Sequence, residues 1–300
     1  MKTARTVEPN KGVQAKFKKK VLTYLKQFRQ RVLNEVLLYL DDEGALARDA
    51  SLTFRPDDPY DRARLRRIKE KINQLVLRDP ERFKRNVDDF IARNMMKWLR
   101  TADKETQQIA QWYVKNLAHD VGVAQRASLK SAGISQSILD YEMRESRKHF
   151  FITPNCMEKL PDMVKDTTSL ITNIATSELS NIRSAFMDAY EGKNTYSNII
   201  ETLQKTQGFT QKRAERVALD QTLKISQQIQ QENCKSVGIT EGIWIHVPGR
   251  YTSRKSHMAM NGKRFKLSEG LYDSEVDQKV LPGTLFFCRC VFRPVIPEQE

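Results

Sequence analysis

The sequence is short of the residues that break regular structure. Only 12 glycines and 10 prolines occur in 300 residues, below the average usage of about 7% and 5%. A chain dominated by long helices is therefore expected. Cysteine is scarce as well: four residues are too few for a disulfide scaffold, so a reducing cytosol is the expected setting. No apolar run approaches the ~20 residues of a bilayer-spanning helix, and the N-terminus lacks the apolar core of a signal peptide. Membrane spans and Sec export are thus not expected. Acidic residues are outnumbered, 37 against 51 Lys+Arg, which leaves a formal net charge of +14. That excess suits a partner rich in phosphate or carboxylate.

What is present is mostly helical periodicity. Residues 1–14 are polar, basic and breaker-containing, and read as a mobile basic arm. From Ala15, Phe17, Val21, Leu25, Phe28, Val32, Val36 and Tyr39 recur every three or four residues, predicting a helix over 15–40. Between Lys2 and Arg31 stand ten Lys/Arg against one acid, Glu8, which fits a phosphate-binding arm or a solvated helix face. Residues 54–60 read as a turn-forming linker, followed by a charged helix over Asp61 to Leu77. Asp79 and Pro80 form an N-cap and first-position pair. The helix they open carries Phe83, Val87, Phe90, Ile91, Met95 and Trp98 on one stripe, and a further helix takes in Ile109, Trp112, Tyr113 and Leu117. The Met95-Met96-Trp98 cluster reads as core packing rather than a partner surface. A Gly133 turn and a Ser cap restart the pattern near 132–140, and two prolines interrupt it near 150–162. Beyond lie a helix from Met163 to Tyr190 and two more, 195–206 and 210–234, parted by Gly208 with Thr210 as cap.

After Gly238 the composition changes. EGIWIHV, GKRFKL and LFFCRCVFRPVI read as strands, the first and second separated by a Pro248-Gly249 turn. The expected fold class is α+β: a mostly α-helical, elongated body over 15–235, and a small β-rich domain over 236–300.

In that last third the residues resemble the Mu F-like minor head proteins of tailed bacteriophages, also called head morphogenesis proteins. The resemblance rests on Arg216 to Thr222, Gly238-Ile239, Trp244, Arg254, His257, Asn261-Gly262, Pro282-Gly283 and Cys288-Arg289-Cys290, in that order, over roughly 208–294. The helix motif reads VALDQT, with Asp220-Gln221 where the family usually has Arg/Lys-Thr-Glu. The resemblance implies a structural virion protein, not an enzyme. It implies partnership with the portal protein and with capsid or scaffold proteins, a location inside the head after assembly in host cytoplasm, and a part in procapsid assembly and DNA packaging or ejection. Ten residues follow Cys290, so the toxin or transferase domain fused to some members is not expected.

Two groups of residues carry candidate chemistry. His257, Cys288 and Cys290, with His246 as a fourth member, are zinc ligands by type. Cys-x-Cys is tighter than the usual Cys-x₂₋₄-Cys spacing, and in a strand both thiols share a face, so two packed thiols beside a hydrogen-bonded His remain the alternative. A Cys290–His257 nucleophilic dyad has no accompanying catalytic signature. Arg250, Arg254, Lys255, Lys263, Arg264 and Lys266 form a basic patch with no acid between 250 and 266. Such a patch serves phosphate contacts to duplex DNA without sequence preference, or an acidic protein surface such as the portal. A DNA-binding protein internal to the head and ejected with the genome is the alternative function.

Overall fold

A computed structural model of the chain describes residues 2–41, 59–143, 152–188, 196–248 and 253–298. In chain order the elements are β1 (Lys2–Thr3), α1 (Lys11–Asp41), α2 (Pro59–Arg78), α3 (Pro80–Ser131), α4 (Gln136–Glu142), α5 (Pro154–Asp188) and α6 (Tyr196–Ser236). They are followed by β2 (Glu241–Ile245), α7 (Lys255–Met260), β3 (Arg264–Lys266), β4 (Leu271–Asp273), β5 (Gln278–Val280) and β6 (Val291–Ile296). The fold is α+β and rich in helix. Among the described residues, no helix is long and apolar enough to cross a membrane.

The helix starts follow local chemistry. Asp79 accepts from the Arg82 N–H at 3.0 Å and caps α3. Ser135 accepts from Ile138 N–H and caps α4. Thr153 accepts from Cys156 N–H at 3.3 Å, ahead of Pro154 at the first position of α5.

Elsewhere the helices run through positions that read as breaks. α3 is continuous for 52 residues. Helix has already begun at Pro154, and Pro161 lies inside it. Pro161 is exposed, so the carbonyl left without its N–H donor sits on a wet face. α6 passes through Gly208, and the Thr210 hydroxyl donates to Glu178 instead of capping. The 54–60 linker lies outside the described residues up to 58, and α2 starts at Pro59.

The chain divides into two compact units: Met1–Lys18, Ile109–Thr167 and Arg216–Glu300 form one, and Lys19–Gln108 with Thr168–Glu215 the other. This division differs from the expected 15–235 and 236–300, because the helices of the N-terminal two-thirds contribute to both units.

The second unit is helical. Its buried stripes are Val21, Leu25, Phe28 and Val32 on α1, Phe83, Val87, Ile91 and Trp98 on α3, and Ile171, Ile174, Leu179 and Ile182 on α5. Trp98 is buried and donates its indole N–H to Glu35 at 2.9 Å, whereas Met96 is exposed. Arg29 and Glu178 are buried here as a pair, Nη1 to Oε1 at 2.7 Å. Arg29 also donates to the Leu203 carbonyl, and Glu178 accepts from Thr210.

Among the described residues, the first unit holds every strand. β1, β6, β2 and β3 form an antiparallel sheet in that order, and β4 pairs with β5. Lys2–Thr3, expected in a mobile arm, pairs with Ile296 and Val295 of β6. Ala4, Val7 and Val13 are buried behind it. Trp244 faces Phe292 across β2 and β6. At Gly242 an added Cβ would stand 2.9 Å from Phe292 Cδ2 and 3.3 Å from the Phe265 ring, so the close ring approach requires glycine.

Leu129, Leu139 and Met143 complete this core from the helical side, with Cys234 and Ile239. α6 contributes a buried polar face as well. Tyr113 donates to Thr222 at 2.8 Å, Gln125 to the Gln230 carbonyl at 2.8 Å, and Asn233 to Gln125 at 2.8 Å. Phe17 stacks on Tyr113 with ring centroids 3.7 Å apart.

Candidate functional site

Four segments of the first unit bring polar side chains together. His246 follows β2, His257 lies in α7, Asp273 ends β4, and Cys288 and Cys290 lie in the loop before β6. That loop is not a strand, contrary to the expectation from alternation. Cys288 N–H closes a turn on the Leu285 carbonyl at 3.0 Å, and Phe287 has φ 59°. In a strand, residues two apart would hold their Cα atoms about 6.6 Å apart with parallel side chains. The turned loop instead aims both thiols inward.

His257 Nδ1 lies 3.4 Å from Cys288 Sγ and 3.6 Å from Cys290 Sγ. His246 Nδ1 lies 3.5 Å from Cys290 Sγ. The ligand atoms of His257, Cys288 and Cys290 all fall within 4.8 Å of one another. On its other nitrogen, His257 Nε2 meets Asp273 Oδ2 at 2.9 Å. A carboxylate only accepts, so this bond places a proton on Nε2.

The motif residues build the surroundings. Asn261 Oδ1 accepts from His246 N–H at 2.9 Å, so the Asn261-Gly262 turn holds His246 in place. Gly262 N–H donates to the Trp244 carbonyl at 2.8 Å. Gly283 sits at φ 78°, and a Cβ there would lie 2.8 Å from Gln227 Cγ, so this turn beside the Cys loop depends on glycine. The backbone N–H groups of Gly283 and Val247 face the sulfurs of Cys288 and Cys290, and the Trp244 indole N–H faces Cys290, all short of hydrogen-bond geometry.

Sequence reasoning missed three acids. Asp273 sits in a polar stretch that looks like turn chemistry, yet it is fully buried. Glu275 accepts from Ser256 N–H and hydroxyl at 3.0 and 3.1 Å and so caps α7 from outside. Asp220, noted only as a departure from the family pattern, accepts from Phe287 N–H and holds the Cys loop against α6.

The electrostatics follow from this packing. Hydrogen bonding from Cys290 lowers the Cys288 thiol to about 4; burial opposes the shift and His257 adds to it. Cys290 is pushed up, first by its bond to Cys288 and then by burial. For His257 burial opposes the charge most, but Cys288 and Asp273 together outweigh it and raise the pKa. Burial would raise Asp273 most, yet bonds from Ser256, Glu275 N–H and His257 hold it low. Asp220 is raised, chiefly by burial. Two chemical states match these contacts. In one, an imidazolium pairs with a Cys288 thiolate. In the other, a neutral imidazole points its Nδ1 lone pair at two sulfurs that share a cation.

The basic patch is not a continuous set of unpaired cations. Arg264 pairs with Glu241, and Lys266 lies 3.2 Å from Glu269. Glu269 also binds Lys279 at 2.6 Å. Arg254 donates to the Phe286 carbonyl at 3.2 Å. Lys255 and Lys263 are exposed and reach no carboxylate among the described residues. Arg250 lies outside the described residues.

An uncharacterized protein of Haemophilus influenzae is 27% identical over 148 residues, which is 49% of this chain and 32% of that protein. The match thus spans about a third of the relative's length. No solved structure matches. A family model, described as Phage Mu protein F like protein, matches residues 180–293. That span holds the His/Cys cluster and the motif residues that frame it, so the family these residues resemble and the family whose model they match are the same: the Phage Mu F-like proteins.

Proposed function

We propose that the chain is a structural minor head protein of a tailed bacteriophage. It works at the portal while the procapsid is built and the genome packaged or ejected, and has no enzymatic activity of its own. The match of residues 180–293 to the Phage Mu F-like family carries the head-morphogenesis reading.

Burial of the thiols supports a structural role over a catalytic one. His257, Cys288 and Cys290 are each 3% exposed or less, and a nucleophile must meet its substrate. The partner surfaces are the portal protein first, then capsid or scaffold proteins, with the virion interior as the final location.

Duplex DNA is a weaker candidate partner for the 250–266 region. Carboxylates of Glu241 and Glu269 already engage two of its cations, and a cation held by a carboxylate releases fewer counterions on meeting phosphate.

An affinity-tagged chain expressed during infection should retain the portal protein, and mature heads should contain it in a small fixed number of copies. Recovery with genomic DNA and without portal, in copies that scale with packaged length, would favour the genome-bound alternative.

A further inference from the structure

We propose that His257, Cys288 and Cys290, whose ligand atoms all lie within 4.8 Å of one another, hold one zinc-class divalent ion, with His246, 3.5 Å from Cys290 Sγ, swinging in as the fourth ligand. Asp273 orients His257 from behind. The inference stands apart from the role in head assembly, since it rests on the donor geometry alone.

A tetrahedral ion with bonds of about 2.3 Å to sulfur and 2.0–2.1 Å to nitrogen sets sulfur and nitrogen about 3.5–3.6 Å apart. The three measured separations are 3.4, 3.5 and 3.6 Å. Hydrogen bonding accounts for them less completely. One proton on His257 Nδ1 cannot serve two sulfurs at nearly equal distance. One proton on Cys290 likewise cannot serve two imidazoles. An ion between them satisfies the lone pairs of His257, Cys288 and Cys290 at once.

The surroundings match such a centre too. Metal-bound histidine commonly donates its second N–H to a carboxylate, which fixes the tautomer, and Asp273 accepts that N–H at 2.9 Å. Backbone N–H groups of Gly283 and Val247 face the two sulfurs, where they would support thiolate charge. The turned Cys loop explains how a single intervening residue suffices. Two sulfurs and two imidazoles favour zinc over harder cations such as magnesium. With His246 as the fourth ligand no position would stay open, the pattern of a structural site. The ion would tie the end of β2, α7 and the Cys loop together, segments otherwise held by strands of three to six residues.

The test uses the full chain purified without chelators. Elemental analysis should find about one zinc per chain. Cobalt(II) added to the metal-stripped protein should give a thiolate-to-cobalt charge-transfer band, which Cys290→Ser weakens by about half or more, since one thiolate remains, and Cys156→Ser leaves unchanged. If Cys290→Ser fails to fold, Asp273→Asn serves instead: it should weaken zinc by about 10–100-fold in competition with a chromophoric chelator. His246→Ala should weaken zinc and change the cobalt spectrum. Three results would overturn the site: metal content near zero with no cobalt band, a Cys288–Cys290 disulfide in the purified protein, or zinc affinity unchanged by both Asp273→Asn and His246→Ala.

Discussion

The helical unit and the strand-bearing unit both take ionisable groups out of water, and they satisfy them differently. Arg29 and Glu178 close on each other. The guanidinium reaches Glu178 and the Leu203 carbonyl, and the second carboxylate oxygen accepts from Thr210. No polar atom of Arg29 or Glu178 is left orphaned among the described residues. Around His257 the Nε2–H is spent on Asp273, while Nδ1 faces two sulfurs and a second imidazole lies beside Cys290. A closed pair is complete in itself, whereas the atoms facing one another around His257 are those the proposed ion would join.

The largest effect expected from this contrast is at the closed pair. Glu178→Ala strands a buried guanidinium and should cost about 3–5 kcal/mol in urea unfolding. Converting both partners, Arg29→Met with Glu178→Leu, should recover most of that loss, because no charge then needs a partner. A single-mutant cost below about 1 kcal/mol would mean that water reaches Arg29, and the contrast would collapse.

A smaller effect sharpens the other side. Gly242→Ala places a methyl 2.9 Å from Phe292 Cδ2 and should cost about 1–3 kcal/mol by overpacking, read from thermal unfolding. A cost near zero would show that the aromatic layer beneath the cluster yields, and that the sheet does not fix the cluster by itself.

The smallest effect is expected at an exposed pair in the helical unit. Arg183 meets Asp88 at 2.6 and 2.9 Å, but both side chains are well exposed. Arg183→Ala should therefore cost less than about 1 kcal/mol at neutral pH. Hydrogen bonding from Arg183 holds Asp88 below its ordinary range. The native pKa is thus the lower one, and the contribution is complete above the unfolded value of about 3.9. It fades as pH falls through the native value, so wild type and variant should converge in acid. A difference that persisted there would assign the cost to lost packing of the Arg183 stem.

The sequence made the donor types and the helix faces readable. Phe17, Val21, Phe28 and Val32 are all buried, as the periodicity required. His246, His257, Cys288 and Cys290 are adjacent in space, which their ligand chemistry suggested. The roles of these acids were not readable. Asp273, the buried last residue of β4, and the exposed Glu275 just after it lie in a polar stretch, and nothing local distinguishes them from turn residues until the hairpin folds against α7. The breaks at Gly208 and Pro161 were misread for a related reason. Their local cost, about 1 kcal/mol for glycine and up to about 3 for proline in a helix interior, can be offset by tertiary packing along the rest of a long helix.

The pairing of β1 with β6 has a consequence for the timing of synthesis. Lys2 and Ile296 are strand neighbours, so Lys2 must wait on the ribosome for a partner made almost 300 positions later. Domains generally fold as they emerge, and the segments Lys19–Gln108 and Thr168–Glu215 are complete long before that strand appears. Until then Ala4 and Val7 have no strand-bearing core to enter, and the unpaired edge of β1 stays open to other chains. The sheet is thus closed late, by a contact of very large sequence separation, a step that loop-closure entropy makes slow.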